Sequence, residues 1–167
     1  AIWVAASVVW LLCSVVMLRR GVTGWQAWPA GPRLVVGLLL LACAWLALVQ
    51  AHQIGLVFLL SILTLVWAAD IFAYAGGRAF GRRKLAPTLS PGKSWEGVWS
   101  GMLGAVLLAT LWLLLDQSIV TDSASLYTRV FQRLGPVGLV LVVVFLSAMS
   151  VVGDLFESLV KRSAGAK

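Results

Sequence analysis

Charge is what this chain has least of. Of its 167 residues, 13 are Lys or Arg and 6 are Asp or Glu, while 61% are hydrophobic and the mean hydropathy is +0.99. Soluble domains are roughly half apolar, so this composition excludes an ordinary soluble domain. The net charge of +7 does not indicate nucleic-acid binding either, because the basic residues cluster in short loops beside apolar runs.

Cysteine and histidine are almost absent. Cys13 and Cys43 both lie inside apolar runs, where a free cysteine behaves as a small hydrophobe. Two such residues exclude a disulfide framework and a zinc pattern. His52 is the only histidine, and a lone histidine without partners is assigned no role as a catalytic base.

What the chain does have is apolar runs of membrane-spanning length. A bilayer-crossing helix needs about 17–25 residues, and a span must be helical to satisfy its own backbone. The sequence therefore predicts an all-α fold, a polytopic transmembrane helix bundle that forms one integral-membrane domain over 1–167. The short connection 50–53 also predicts a tight antiparallel hairpin between the second and third spans. The five predicted spans are 2–18, 34–49, 54–74, 98–115 and 137–152.

The loops between these spans alternate in charge. Loops one and three and the C-terminal tail carry Lys and Arg, whereas loop two carries none, and loop four balances two Arg with two Asp. Basic loops are retained in the cytoplasm. This pattern predicts that loops one and three and the tail share the cytoplasmic side.

One polar segment, residues 150–167, ends the chain with SVVGDLFESLVKRSAGAK. On a continuing helix, Asp154, Glu157, Ser158 and Lys161 occupy positions i, i+3, i+4 and i+7 and form one polar stripe. Two carboxylates one turn apart can share Mg²⁺, and nearby bases can hold phosphates. An ion-paired helix exit explains the same spacing equally well.

A second polar segment, residues 70–97, contains KLAPTLSPGKSWEG at 84–97. Its Gly-rich, basic loop can bring backbone N–H groups and cations to a polyphosphate, or it can be only a positive-inside anchor. Asp70, at the end of the third span, is a site residue, a partner for Arg78 or a helix-end charge.

The letters Gly92-Lys93-Ser94 do not form a P-loop, because Pro87 stands where that motif needs its first glycine. Ser94 is instead predicted to cap the fourth helix, which places Lys93 beside a helix N-terminus, where phosphate binds well. Glu96 is a candidate acid for the first turn of that helix.

Residues 67–97, WAADIFAYAGGRAFGRRKLAPTLSPGKSWEG, resemble the middle region of the phosphatidate cytidylyltransferases, or CDP-diacylglycerol synthases. Residues 158–162 followed by Lys167 resemble the opening of the C-terminal signature of that family. The family continues with an Asp, a His-Gly-Gly segment and an Asp-Arg-hydrophobic-Asp segment, which this sequence does not reach. The resemblance covers 67–167, the expected catalytic region, while 1–66 match only in hydropathy. We therefore expect a C-terminally truncated chain that is inactive alone.

The resemblance implies transfer of a cytidylyl group from CTP to phosphatidate with Mg²⁺, at a bacterial inner membrane, with the site facing the cytoplasm. It also suggests a homodimer, and leaves a second, monovalent cation open. The implied catalytic residues are Asp70, Asp154, Lys161 and Lys167; the implied substrate-binding residues are Arg78, Lys84, Ser90, Lys93, Ser94 and Arg162; and the implied metal ligands are Asp70, Asp154 and Glu157.

Two other functions share some of these features. A CTP-dependent kinase or related transferase acting on a lipid alcohol would also combine membrane helices with acid–base clusters, but the two motif segments oppose it. A non-catalytic transporter or scaffold is the other alternative. Transporters carry acids near mid-span and often repeated halves, whereas here the acids lie at span ends and no repeat is evident.

Overall fold

The structure, a computed structural model, describes residues 2–119 and 122–165. Within these two ranges there are five helices, and each is long and apolar enough to cross a membrane. A helix of 25 residues is about 37 Å long, enough for a hydrocarbon core of about 30 Å. The prediction of an all-α bundle with five spans is confirmed. The elements are α1 (Ile2–Gln26), α2 (Ala30–Ile54), α3 (Leu56–Phe80), β1 (Lys84–Ala86), β2 (Ser90–Ser94), α4 (Trp95–Ser118) and α5 (Leu126–Ser163).

Two of the helices are broken by glycine. Gly21 in α1 has a φ of 66°, and Gly135 in α5 has a φ of 68°. This left-handed conformation is costly for any residue with a Cβ. In α5 the break is followed by Pro136, which has no N–H to continue the helical ladder. The bend divides the 38-residue α5 into a short first part and a spanning second part.

The predicted loop 50–53 is wrong. These residues are the last turn of α2, and the only residue between α2 and α3 is Gly55, with a φ of 149°. Polar side chains at a helix end can reach water without ending the helix, whereas this backbone angle requires glycine. His52 accordingly lies on α2 and is exposed.

A two-stranded antiparallel sheet joins α3 to α4, where the sequence predicted only a loop and a turn. Lys84 pairs with Ser94 and Ala86 with Ser90, with an irregularity between the two pairs. We call residues 84–94 the hairpin, and the end of the bundle that carries it the hairpin end. The hairpin places β2 directly before α4, so side chains of both elements face the same space.

Two buried clusters of described residues hold the bundle together. The larger one joins α3, α4 and α5 away from the hairpin and contains Leu65, Ala105, Ala109, Tyr127, Leu139 and Val143. The smaller one joins α1, the hairpin and α5 and contains Met17, Trp25, Leu89 and Leu159. Because α1 ends beside the hairpin and the end of α5, the predicted grouping of loop one, loop three and the tail at one end is confirmed.

Candidate active site

A cavity of about 370 Å³ opens at the hairpin end, between α3, the hairpin, α4 and α5. Much of its lining is small or apolar, including Ala73, Val98, Met102 and Val151. The cavity thus has both charged and apolar walls, which suits a ligand with a charged group and an apolar part. Its charged and hydroxyl-bearing side chains are Asp70, Tyr74, Arg78, Ser90, Lys93, Ser94, Ser147 and Asp154.

An ion pair crosses this cavity. Lys93 Nζ, on β2, donates a hydrogen bond to Asp154 Oδ2, on α5, and so connects the hairpin to the last helix. Asp70 on α3 lines the same cavity. Three elements that are far apart in sequence therefore bring two carboxylates and one ammonium group into one space.

The local sequence explains how Lys93 reaches this position. Ser94 is the N-cap of α4, and its Oγ accepts a hydrogen bond from Gly97 N at 3.2 Å, as the sequence predicted. The same residue pairs with Lys84 across the hairpin. Lys93 therefore sits one residue before the N-cap of α4, at the positive end of the helix dipole.

Glycines on α4 allow it to approach α3 closely. A Cβ on Gly97 would lie 2.7 Å from the carbonyl oxygen of Ala73, and one on Gly101 would lie 2.7 Å from that of Ala69. Both distances are shorter than real Cβ atoms tolerate, so a larger residue at either position would push the helices apart. This close contact sets Asp70 and Arg78 of α3 opposite the start of α4.

Six of the predicted site residues line the cavity together: Asp70, Arg78, Ser90, Lys93, Ser94 and Asp154. Arg78 is further oriented on its own helix, since its Nη1 donates to Tyr74 Oη at 3.4 Å.

Four predicted residues lie outside the cavity lining. Glu157 and Lys161 pair with each other at 2.6 Å, with 59% and 56% of their side chains exposed. Arg162 Nε donates to the carbonyl oxygen of Leu89 at 3.4 Å and so holds the hairpin. Lys84 is exposed on β1. The site roles of all four stay predictions, as does that of Lys167, which lies outside the described residues.

Sequence reasoning missed Ser147 and Val151, which line the cavity from α5. They precede Asp154 by seven and three residues, and helical periodicity places all three on one face. Counting back from Asp154 along the predicted helix would have found them. Glu96 was also underestimated: its carboxylate accepts backbone hydrogen bonds from Arg82 and Arg83.

Within residues 2–119 and 122–165, no three His, Cys, Asp or Glu side chains come together as a metal cage. The lining nevertheless holds two carboxylates, Asp70 and Asp154. Magnesium typically takes one or two protein carboxylates and completes its shell with water and substrate phosphates. The donor set therefore fits a magnesium ion that arrives with a phosphate ligand.

These features define an integral membrane protein with an acid–base cavity at one end of its helix bundle. The chain belongs to the cytidylyltransferase family, whose model matches residues 1–167.

Curated relatives support the same family. The chain is 42% identical, over 172 aligned positions, to a phosphatidate cytidylyltransferase from Pseudomonas aeruginosa; the match covers 100% of this chain and 58% of the relative. It is 43% identical over 113 residues to one from Haemophilus influenzae, covering 68% and 36%. A Thermotoga maritima relative of the same name is 38% identical over 108 residues, covering 65% and 37%. The chain thus spans between 36% and 58% of the length of these relatives. No solved structure matches the chain.

Proposed function

We propose that this chain contributes the membrane-embedded site of an enzyme that transfers a cytidylyl group from CTP to phosphatidate, giving CDP-diacylglycerol and pyrophosphate. The observation that carries the proposal is the cavity in which Lys93, Asp154 and Asp70 meet above apolar walls. The family membership and the names of the relatives support the same reaction.

The reaction needs no covalent enzyme intermediate. A phosphate oxygen of phosphatidate forms a bond to the α-phosphorus of CTP, while the bond from that phosphorus to the bridging oxygen of the β-phosphate breaks. Pyrophosphate leaves with that oxygen. The protein therefore has to position two anionic groups and offset the charge that develops between them, as in phosphoryl transfer generally.

The cavity residues divide naturally between these tasks. Lys93 and Arg78 supply positive charge to the phosphates, and the hydroxyl groups of Ser90 and Ser94 can donate hydrogen bonds to phosphate oxygens. The apolar walls provide a place for part of the lipid. Lys161, Arg162 and Lys84 lie outside the cavity lining, so any contact they make with substrate would be made at its rim.

Asp70 and Asp154 would hold Mg²⁺, with Glu157 as a more distant candidate. When bound, this ion would neutralise negative charge on the nucleotide phosphates. In the structure Asp154 is held by Lys93, so the same ammonium group is placed to move to a phosphate when the carboxylate takes another partner. A second, monovalent cation would be an addition to this set.

We place the hairpin end on the cytoplasmic side of a bacterial inner membrane. Lys and Arg concentrate in loop one, loop three and the tail, and such residues favour the cytoplasm. At that side, soluble CTP and the lipid headgroup can reach one cavity. A homodimer stays an expectation from the family resemblance.

The position of a radioactive label distinguishes this reaction from lipid-alcohol phosphorylation. The full-length protein in detergent would receive phosphatidate or, in a parallel reaction, a polyprenol, together with Mg²⁺ and CTP labelled at either the α- or the γ-phosphate. We expect the α-label in an organic-extractable product and the γ-label in pyrophosphate. Transfer of the γ-label to a polyprenol substrate, without α-label transfer to phosphatidate, would replace the proposal with a lipid kinase.

A further inference from the structure

Glu96, the acid in the first turn of α4, fastens the loop that precedes the hairpin. Its side chain does not line the cavity. Arg82 N donates to Glu96 Oε2 at 3.1 Å, and Arg83 N donates to Oε1 and to Oε2, each at 3.2 Å. One carboxylate therefore accepts from two consecutive backbone amides, and hydrogen bonds to an ionised acceptor are stronger than neutral ones.

Further contacts continue from this point into the hairpin. Trp95 N donates to the carbonyl oxygen of Arg83 at 2.9 Å, and the next residue, Lys84, pairs with Ser94. Residues 82–84 are thus joined one after another to residues 94–96. Lys93 directly precedes Ser94 on β2, so these contacts fix the backbone from which the Lys93 side chain extends.

The far end of the hairpin is fixed independently. Leu89 is 7% exposed and packs with Met17, Trp25 and Leu159, while its carbonyl oxygen accepts from Arg162. Lys93 lies between this attachment and the one made by Glu96. With both ends fixed, the ammonium group of Lys93 is directed across the cavity to Asp154.

We propose that Glu96 is a positioning residue, which fixes the base of the hairpin and acts on a phosphate-bearing ligand only through Lys93. The anchoring stands on the contacts alone. The choice of CTP as the ligand rests on the proposed function, so the experiment has one arm that needs no ligand.

In the first arm, hydrogen–deuterium exchange is measured on the full-length protein in detergent. Glu96→Ala is expected to speed exchange in peptides that contain the amides of residues 82 and 83. The matched control is Asp116→Ala, because Asp116 lies at the other end of α4 and also accepts a backbone amide, Ser125 N at 2.9 Å. This control should leave the hairpin peptides unchanged. Unchanged exchange at 82 and 83 in Glu96→Ala overturns the anchoring.

In the second arm, CTP binding is titrated in the presence of Mg²⁺ for a double-mutant cycle with Lys93→Ala. Glu96→Ala should raise the Kd about tenfold when Lys93 is present, since a misplaced charged group can cost up to about 100-fold. Without Lys93 the same change should raise it less than about twofold, because coupled residues are non-additive. Glu96→Gln keeps one acceptor oxygen and should give an intermediate Kd.

Equal factors in the two backgrounds would overturn action through Lys93 and assign Glu96 its own contact with the ligand. If the wild-type protein binds no CTP at all, the proposed function fails, while the exchange measurement still decides the anchoring.

Discussion

At the end of the bundle opposite the hairpin, carboxylates accept hydrogen bonds from backbone amides, whereas at the hairpin end two carboxylates face a cavity. Asp122 accepts from Leu56 N and Val57 N at the start of α3, and Asp116 accepts from Ser125 N. These contacts satisfy donors that a helix start would otherwise leave free. The acids at this end thus serve the fold.

A buried polar network strengthens the same end. Ser61 Oγ accepts from Leu126 N at 2.9 Å, and Tyr127 Oη donates to the carbonyl oxygen of Ser61 at 3.1 Å. Both Ser61 and Tyr127 are fully buried. Satisfied buried hydrogen bonds of this kind fix one arrangement, because breaking any of them leaves a buried polar group unpaired.

The hairpin end combines both uses of a carboxylate. Glu96 accepts hydrogen bonds from backbone amides, as the acids of the opposite end do. Asp154 is instead held by the side chain of Lys93, and Asp70 lines the same cavity. A lysine side chain can leave its partner more easily than a helix start can. We therefore expect the proposed chemistry where carboxylates are held by side chains, and a contribution to stability where they are held by the main chain.

The largest expected effect is that of removing the cation from the cavity. Lys93→Ala should lower kcat/KM for CTP-dependent CDP-diacylglycerol formation by about 100-fold or more, since positioned charges contribute two to three orders of magnitude in such sites. Lys93→Arg, which keeps the charge, is the control and should retain part of the activity. Wild-type activity in Lys93→Ala would contradict the assignment of the proposed chemistry to the hairpin end.

Helix separation is expected to come next. Gly101→Ala places a Cβ 2.7 Å from the carbonyl oxygen of Ala69 and should destabilise the protein by about 1–3 kcal/mol through overpacking. Gly37→Ala is the matched control, because nothing lies within 4 Å of its Cβ position; it should be neutral or stabilise by up to about 1 kcal/mol. Unfolding in mixed micelles measures both, and equal stabilities would contradict close α3–α4 packing.

Acid should weaken the end opposite the hairpin. The hydrogen bonds from Leu56 N and then Val57 N hold the pKa of Asp122 below its ordinary value of 3.8. A carboxyl whose pKa is depressed by folding adds stability above its ordinary pKa, and this stability is lost as the pH falls through the folded value. The Tm of the wild type should therefore fall more steeply below about pH 4 than the Tm of Asp122→Ala. Parallel profiles of Tm against pH would show that the hydrogen bonds accepted by Asp122 contribute nothing to stability.

The smallest expected effect is that of the surface ion pair. Glu157 and Lys161 are more than half exposed, and exposed pairs one helical turn apart contribute at most about 0.5 kcal/mol. Glu157→Gln should change the unfolding free energy by no more than this at moderate salt. A larger loss would mean that Glu157 has a partner beyond Lys161.

The sequence predicted the membrane fold well because length and hydropathy largely determine a span. It failed between α2 and α3, where the polar residues 50–53 suggested a loop. The break depends instead on the backbone angle of Gly55, which hydropathy does not report. The hairpin was missed for a similar reason: residues such as Pro87 and Pro91 indicate turns, and only pairing across the turn makes the strands.

The candidate site was predicted in its residues rather than in its contacts. Asp70, Lys93 and Asp154 stood out because charge beside apolar spans is costly. Glu157 lies on the same face of α5 as Asp154, but one turn further along, where it pairs with Lys161 outside the cavity lining. The partners of Glu96 lie 13 and 14 residues away across an irregular loop, and no spacing rule identifies such a pair.

The central claim is that the cavity at the hairpin end is where cytidylyl transfer occurs, and Asp154→Asn tests it most directly. Formation of α-labelled CDP-diacylglycerol by the full-length protein would be compared with that of Asp116→Asn, which removes a carboxylate charge at the other end of the bundle. We predict a loss of at least about 100-fold in Asp154→Asn and wild-type activity in Asp116→Asn. Full activity in Asp154→Asn would contradict the account and place the reaction elsewhere.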